Sequence, residues 1–315
     1  MSKIDIVYTW IDGSDQAWNK KKDAYLKNCQ VFNNCQSSQA GSERYTDHQE
    51  LKFSLRSIAM FAPWVNHIYI ITDNQKPTWL SCSSKVTVID HKDIIPIEYL
   101  PTFNSSVIEA HIHNIKDLQE KFIYFNDDMF LGKPTFPRDF FVNNKPLVFT
   151  SSIFQRRRKR KASKDHTYNV KSINSSRDMA ESSTKKYVGY GIKHGIRPLL
   201  KSRLLTISQL YSDILQPHYT EKFRLHPFSL LYLYTFHELA LKNAKPKYLK
   251  NAHKKSILPL YSSFLYITDK NIHNLESIYI KNRPLVFCLN EITDNIDRIS
   301  FFSDGIFSKK SEFEL

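Results

Sequence analysis

The stretch KFIYFNDD, Lys121 to Asp128, decides how the chain is read. Its apolar run predicts a strand from Lys121 to Phe125, and the polar triplet Asn126-Asp127-Asp128 predicts where that strand ends. A strand that runs out into adjacent carboxylates puts hard oxygen ligands at the C-terminal edge of a sheet, where α/β proteins bind their ligands.

Working outward, Ile4 to Thr9 (IDIVYT) reads as a buried first strand that meets a turn at Asp12-Gly13. Ile68 to Thr72 (IYIIT) and Val86 to Asp90 (VTVID) read as two more strands. Between Thr9 and Ile68, the apolar residues from Asp47 to Ala62 approximate helical spacing, and Ala62-Pro63-Trp64 stops that helix. Ser105 to His113 is a second helix, capped by Asn104 or Ser105. Strands alternating with helices predict an α/β core over residues 1–145.

Residues 146–186 are rich in Ser, Lys and Arg and predict a basic flexible loop or insertion, with order returning near Tyr187. Residues 187–315 predict a helical region, with helices at 197–216 and 227–242, and a late strand in Pro284 to Leu289 that would complete the active site. The second of these helices, FSLLYLYTFHELAL, is apolar nearly all round, as a buried helix would be.

Composition narrows the chemistry. A chain of 315 residues is one large domain or two modest ones. Its 7 glycines exclude both the Walker loop and the dinucleotide fingerprint, since Gly189, Gly191 and Gly195 miss both spacings. The 4 cysteines form no CxxC pair and no disulfide framework, which predicts a reducing compartment. The start lacks a signal-like apolar region and no window approaches 18 apolar residues, so the expectation is a cytoplasmic protein, soluble or peripheral on the inner face of the plasma membrane.

The formal net charge is +14, and residues 155–187 carry eleven basic and three acidic side chains, or +8 of it. Arg156 to Lys161 are six consecutive cations, which predicts a polyanionic partner or surface, either an anionic membrane surface or an anionic polymer. A nucleic-acid binder is the other reading of such charge, but no recognised nucleic-acid motif accompanies it, so no nucleic-acid partner is expected.

Asp127 and Asp128 could hold Mg2+ or Mn2+ against a nucleotide diphosphate, or could cap the next turn. Trp10-Ile11-Asp12-Gly13-Ser14-Asp15 repeats the arrangement, a strand followed by a turn with two carboxylates, and also suits an ordinary Asx turn. Arg224-Leu225-His226 sets a cation and a possible general base before the aromatic helix. No HExxH and no His/Cys set with structural-zinc spacing is present.

Taken as a set, these residues resemble the Stealth family, the capsular polysaccharide phosphotransferases. The first signature is DIVYTWIDGSD from Asp5; the second runs from Arg44 to Leu80, through VTVIDHKDII and LPTFNSSVIEAHIH, to KFIYFNDDMFLGKP ending at Pro134. The third, HGIRPLLKS from His194 with KFRLHPFSLLYLYTFHELAL from Lys222, is weaker, and the fourth is PLVFCLNE from Pro284 with the ending FFSDGIFSKKSEFEL. The chain is also similar to the eukaryotic N-acetylglucosamine phosphotransferase.

The resemblance implies a Rossmann-like, GT-A-like nucleotide-sugar-transferase core with a mixed sheet and a helical C-terminal part. It implies transfer of a hexose or N-acetylhexosamine phosphate from a nucleotide-activated sugar, of the UDP-N-acetylhexosamine type, to a hydroxyl of a polysaccharide or lipid-linked acceptor, making a phosphodiester. Asp127 and Asp128 would then act at a metal-bound diphosphate, with Arg224 as a nearby cation. Asp12, Gly13, Asp15, Arg44, Asp47, Asn126 and Asn290 would contact substrate. The eukaryotic relatives place a His directly after the Arg of the third signature, whereas Leu225 follows Arg224 here, which leaves the base open between His226 and His194. The alternative enzyme is a metal-dependent glycosyltransferase that releases a nucleoside diphosphate.

Overall fold

The computed structural model describes residues 2–33, 45, 47–156, 167–252, 262–268, 275–289 and 301–315. Three of the expected strands lie where the sequence puts them: β1 (Ile4–Thr9), β2 (Ile68–Thr72) and β3 (Val86–Asp90). The fourth, β4, runs one residue further than expected, from Lys121 to Asn126. The remaining strands are β5 (Met129–Leu131), β6 (Phe141–Val142), β7 (Lys145–Thr150), β8 (Arg197–Leu200), β9 (Lys245–Tyr248), β10 (Lys250–Asn251), β11 (Ser263–Ile267) and β12 (Val286–Leu289). The helices are α1 (Gln16–Asn33), α2 (Glu50–Phe61), α3 (His91–Ile94), α4 (Ser105–Ala110), α5 (Tyr168–Thr184), α6 (Lys201–Leu210), α7 (Ser212–Tyr219), α8 (Leu230–Ala240) and α9 (Leu275–Asn282).

The central sheet has the order β3-β2-β1-β4-β8. Its first four strands are parallel, and β8 pairs antiparallel with β4, giving the expected α/β core with a mixed sheet. Side-chain alternation explains why both faces are covered. Ile4, Ile6 and Tyr8 of β1 and Ile123 and Phe125 of β4 join one core with Leu51, Leu55 and Ile58 of α2. Val7, Phe122 and Tyr124 point the other way, into a second core with Leu230, Leu233 and Phe236 of α8. Asp5, fully buried, accepts from Asn66 Nδ2 at 2.7 Å and from the Gln119 amide at 2.8 Å, so its burial is compensated by charge-assisted hydrogen bonds.

The chain winds from β1 to β2 to β3 in one direction and then crosses back to β4 on the other side of β1. The reversal lies between β1 and β4, and a crevice opens at the C-terminal ends of strands that flank such a switch. Register sets Thr9 opposite Asn126, so Trp10 and Asp127 leave the sheet side by side.

A second sheet, ordered β10-β11-β12-β5, comes mostly from the C-terminal third. Its antiparallel pair sets Cys288 opposite Met129, immediately beyond Asp128. Phe130, Phe287 and Phe302 stack there with ring centroids 4.9 Å apart along the pairs Phe130–Phe287 and Phe130–Phe302. A third, smaller sheet is ordered β6-β7-β9.

Two expectations are corrected. Much of the stretch expected as a loop is ordered: β7 spans Lys145–Thr150 and α5 spans Tyr168–Thr184. The face α5 buries is Ser172, Ser176 and Ala180, a stripe of small residues four apart, which lets its backbone approach α8; Ser176 Oγ donates to the Ser229 carbonyl at 3.3 Å. Such a helix has no apolar periodicity to read. The helix expected over 197–216 begins instead as β8, and α6 and α7 follow it. Helix α1 was not anticipated, because Lys20, Lys21, Lys22 and Asp23 break up its apolar pattern.

The C-terminal residues are tied to α2. Arg56 donates to Glu314 through Nε (2.7 Å to Oε1) and NH2 (2.6 Å to Oε2), and its NH1 donates to the Phe307 carbonyl at 2.5 Å. The Glu314 side chain is 1% exposed. Burial alone would raise its carboxyl pKa, but the Arg56 hydrogen bonds and charge, with those of Ser311, hold it below the usual range. This contribution to stability is complete above the unfolded value and is lost as pH falls through the folded one. Arg56→Ala is expected to lower stability by roughly 3 kcal/mol at neutral pH, because it strands a buried carboxylate. Urea denaturation at pH 7 and at pH 4 checks this: the deficit should shrink at the lower pH.

Candidate active site

The crevice at the ends of β1 and β4 gathers four carboxylates. Asp127 and Asp128 follow β4 directly. Asp47 is held to the end of β1 by Trp10, whose Nε1 donates to Oδ2 at 3.2 Å, and its Oδ1 accepts from the Gln49 amide at 2.8 Å. Glu50, buried at the start of α2, accepts from the His48 amide at 2.6 Å. Asp127 carries a carboxyl pKa well above the usual range because of burial, then the charges of Asp128, Glu50 and Asp47. The amide of Asp128, 3.1 Å from its Oδ1, works the other way. Asp47 is pushed up to about 6 by burial and by Glu50.

Two cations stand near His194 and Glu109. Arg224 donates to Ser105 Oγ and lies 5.6 Å from the centroid of the Tyr168 ring. Arg197, at the start of β8, stacks over Tyr232 at 4.0 Å. Both act on Glu109, whose pKa burial raises while Arg224 and Arg197 pull it down; its Oε1 accepts from the Tyr124 hydroxyl at 3.3 Å. Both also act on His194, which burial and these two guanidinium groups push down to about 4. At neutral pH the His194 ring is therefore uncharged.

The two poles meet at His194. Ligand atoms of Asp128, His194 and Cys288 all lie within 4.8 Å of one another, and Cys288 Sγ donates to Asp128 Oδ2 at 3.3 Å. Burial and the two aspartates push the Cys288 thiol far up, so it remains a neutral donor.

The Asp12–Asp15 turn is built as an Asx turn and a helix cap. Asp12 Oδ1 accepts from the Ser14 amide at 2.8 Å, and Asp15 Oδ1 accepts from the amides of Ala17 (2.8 Å) and Trp18 (3.1 Å) at the start of α1. Gln75 clamps it, donating to Asp15 Oδ2 at 3.0 Å and accepting from the Asp12 amide at 2.9 Å. Gly13 is required for space, since a Cβ there would sit 1.9 Å from the Tyr45 carbonyl oxygen. Trp18, Phe103 and Phe223 form a small core that joins this turn to the loop carrying Arg224, with Phe103 and Phe223 stacked at 5.3 Å.

His226 sits elsewhere in that loop. Its side chain is 66% exposed, and its Nδ1 pairs with Glu221 Oε1 at 2.6 Å beside His218. Asn126 ends β4 next to Asp127. Arg44, Asn290 and Arg157 to Lys161 lie outside the described residues; Arg156 is described and exposed. Sequence reasoning did not single out Glu50, Glu109, Arg197, Gln75 or Cys288. Arg197 and Cys288 lie inside quoted signatures, and only the pairing of β8 and β12 shows what they face.

The oxygen-rich group suits a hard divalent cation, which would let all four carboxylates stay ionised. The cations across the crevice suit an anion such as a diphosphate. Among the described residues, no helix is long and apolar enough to cross a membrane.

Comparison with known proteins adds the following. The family model for "Stealth protein CR1, conserved region 1" matches residues 2–28, and that for "Stealth protein CR2, conserved region 2" matches residues 44–149. A capsular polysaccharide phosphotransferase of Actinobacillus suis is 33% identical over 318 residues, covering 98% of this chain and 81% of that protein. The capsular polysaccharide phosphotransferase LcbA of Neisseria meningitidis is 38% identical over 227 residues, 70% of this chain, and this chain spans only 60% of its length. A solved structure of the galactosyltransferase LgtC aligns over 91% of this chain and 87% of its own, with a TM-score of 0.42 and 10% identity. A likeness at that level decides nothing about this chain.

Because the folded, metal-free protein holds the Asp127 proton more tightly than the unfolded chain does, its stability should fall as pH rises from about 4 through the folded value. Asp127→Asn removes that loss. In the presence of a chelator its Tm should exceed that of wild type at pH 8 and converge with it near pH 4, as scanning calorimetry would show.

Proposed function

The chain belongs to the Stealth family of polysaccharide phosphotransferases, and from that premise we propose that it transfers a hexose phosphate, or an N-acetylhexosamine phosphate, from a nucleotide-activated sugar to a hydroxyl of a capsular or cell-surface polysaccharide. The observation that carries this reading is the split crevice, with four carboxylates on one side and Arg197, Arg224 and His194 on the other. A diphosphate with its cation fits between such poles, and a neutral sugar acceptor needs neither.

Asp127 and Asp128 are the residues that would hold Mg2+ or Mn2+, with Asp47 and Glu50 behind them. When bound, such an ion offsets charge on the diphosphate oxygens. This chain's own groups do the rest. Arg224 and Arg197 bind phosphate oxygens and stabilise charge that grows as the bond to the departing nucleoside monophosphate lengthens. Glu109 keeps Arg224 oriented.

The acceptor oxygen attacks the phosphorus that bears the sugar. One P–O bond forms, the P–O bond to the nucleoside monophosphate breaks, and the acceptor proton leaves to a base. His194 supports that role better than His226 does: it is uncharged at neutral pH and within reach of Asp128, whereas the His226 nitrogen is engaged by Glu221. A bound diphosphate would counter Arg197 and Arg224 and raise the affinity of His194 for the proton, toward the range where a general base works best.

The turn Asp12–Asp15 is read as the wall of the nucleotide pocket, acting through its backbone, because its carboxylates already serve the turn and α1. The anionic membrane reading is supported by Arg156 and the five cations that follow it in sequence, and by Phe154, which is 80% exposed two residues before them.

Incubation with a UDP-N-acetylhexosamine, Mg2+ and an oligosaccharide acceptor tests the proposal: phosphorus NMR should show a new phosphodiester together with UMP. UDP with no new diester would mean glycosyl transfer instead. Asp128→Asn is expected to lower turnover by about 10³-fold with no loss of Tm, since removing the largest charge beside Asp127 relieves crowding rather than unfolding the site. His194→Ala should cost roughly 10²-fold or more and His226→Ala much less, measured as UMP release; the reverse order would move the base to His226.

A further inference from the structure

The loop between α7 and α8 carries a second group of metal-binding side chains. His218 lies in the last turn of α7, Glu221 in the turn after it, and His226 five residues further on. His218 Nδ1 is 2.7 Å from Glu221 Oε1, and His226 Nδ1 is 2.6 Å from the same oxygen. Ligand atoms of all three lie within 4.8 Å of one another.

The carboxylate, the His218 ring and the His226 backbone are held in place. Glu221 Oε2 accepts from the His226 amide at 3.1 Å. The His218 ring stacks on Phe228 at 5.4 Å, and the His226 carbonyl accepts from the Tyr168 hydroxyl at 2.9 Å. Two imidazoles and a carboxylate on a fixed loop make a donor set suited to a borderline transition-metal ion, with a fourth position open to water. It differs in kind from the all-oxygen set at the end of β4.

We propose that His218, Glu221 and His226 form a binding site for a transition-metal ion of the Zn2+ type. The ion enters from solvent, since the His226 side chain is 66% exposed. Binding replaces the hydrogen bonds now shared on Glu221 Oε1 with bonds to the ion. The ion also ties α7 to the segment before α8, and Arg224 lies between two of its ligands. Any effect on transfer therefore rests on the function proposed above, whereas binding does not.

Calorimetric titration of the metal-free protein with Zn2+ tests the site independently of turnover. One ion should bind at micromolar concentration or tighter, and His218→Gln with His226→Gln should weaken that binding by roughly tenfold or more while leaving the metal-free melting curve in place. Asp128→Asn should leave it unchanged. Co2+ supplies the second readout, because ligation by this loop gives visible bands without a thiolate charge-transfer band. A thiolate band that disappears in Cys288→Ser would put the ion on Asp128, His194 and Cys288 and overturn the proposal. Failure to bind Zn2+, or unchanged affinity in the double variant, would overturn it equally.

Discussion

Like charge that has nowhere to go is the constraint on which the crevice depends. Asp47, Glu50, Asp127 and Asp128 converge at the ends of β1 and β4, and the groups that raise Asp127 are carboxylates, with one backbone amide in opposition. Such a cluster persists only by keeping protons or by taking a cation. The surrounding fold holds it together: buried strands on both sides, Trp10 fixing Asp47, and β12 packed against the residues that follow Asp128. On the function proposed above, the stability lost to crowding is the counterpart of binding a cation and its diphosphate there.

The opposite pole follows from chain topology. Antiparallel β8 brings Arg197 beside Tyr124, and the Phe103–Phe223 stack holds the loop that presents Arg224. His194 lies within reach of Asp128, yet burial first and then the charges of Arg197 and Arg224 keep it uncharged. Residues 194–289 therefore carry His194, the two guanidinium groups and Cys288, through β8, the α7–α8 loop and β12, while residues 47–128 carry the four carboxylates.

Strands β1, β2 and β4 were legible because they are buried on both faces and read as largely apolar runs, β3 because its β-branched residues alternate with polar ones, and the carboxylates at the end of β4 because they interrupt one such run. Helix α5 was not, since it packs through Ser172, Ser176 and Ala180, whose small size matters and whose polarity hides it. The pairing of β8 and β12 was not legible either, because which strand lies beside which depends on contacts far apart in sequence, such as Met129 with Cys288. The same reason hid Arg197, Glu109 and Cys288 as members of the site. Asp12 and Asp15 illustrate the converse case: two carboxylates after a strand looked like Asp127 and Asp128 in sequence, yet backbone amides take up their oxygens.

The central claim is that the bond broken lies between the two phosphates of the donor rather than at the sugar carbon. A donor labelled with 18O in the bridge between the anomeric carbon and its phosphorus tests it directly. The account predicts that mass spectrometry finds the label retained in the phosphodiester product and absent from the released nucleotide, which is the monophosphate. Label recovered in a released nucleoside diphosphate would contradict it.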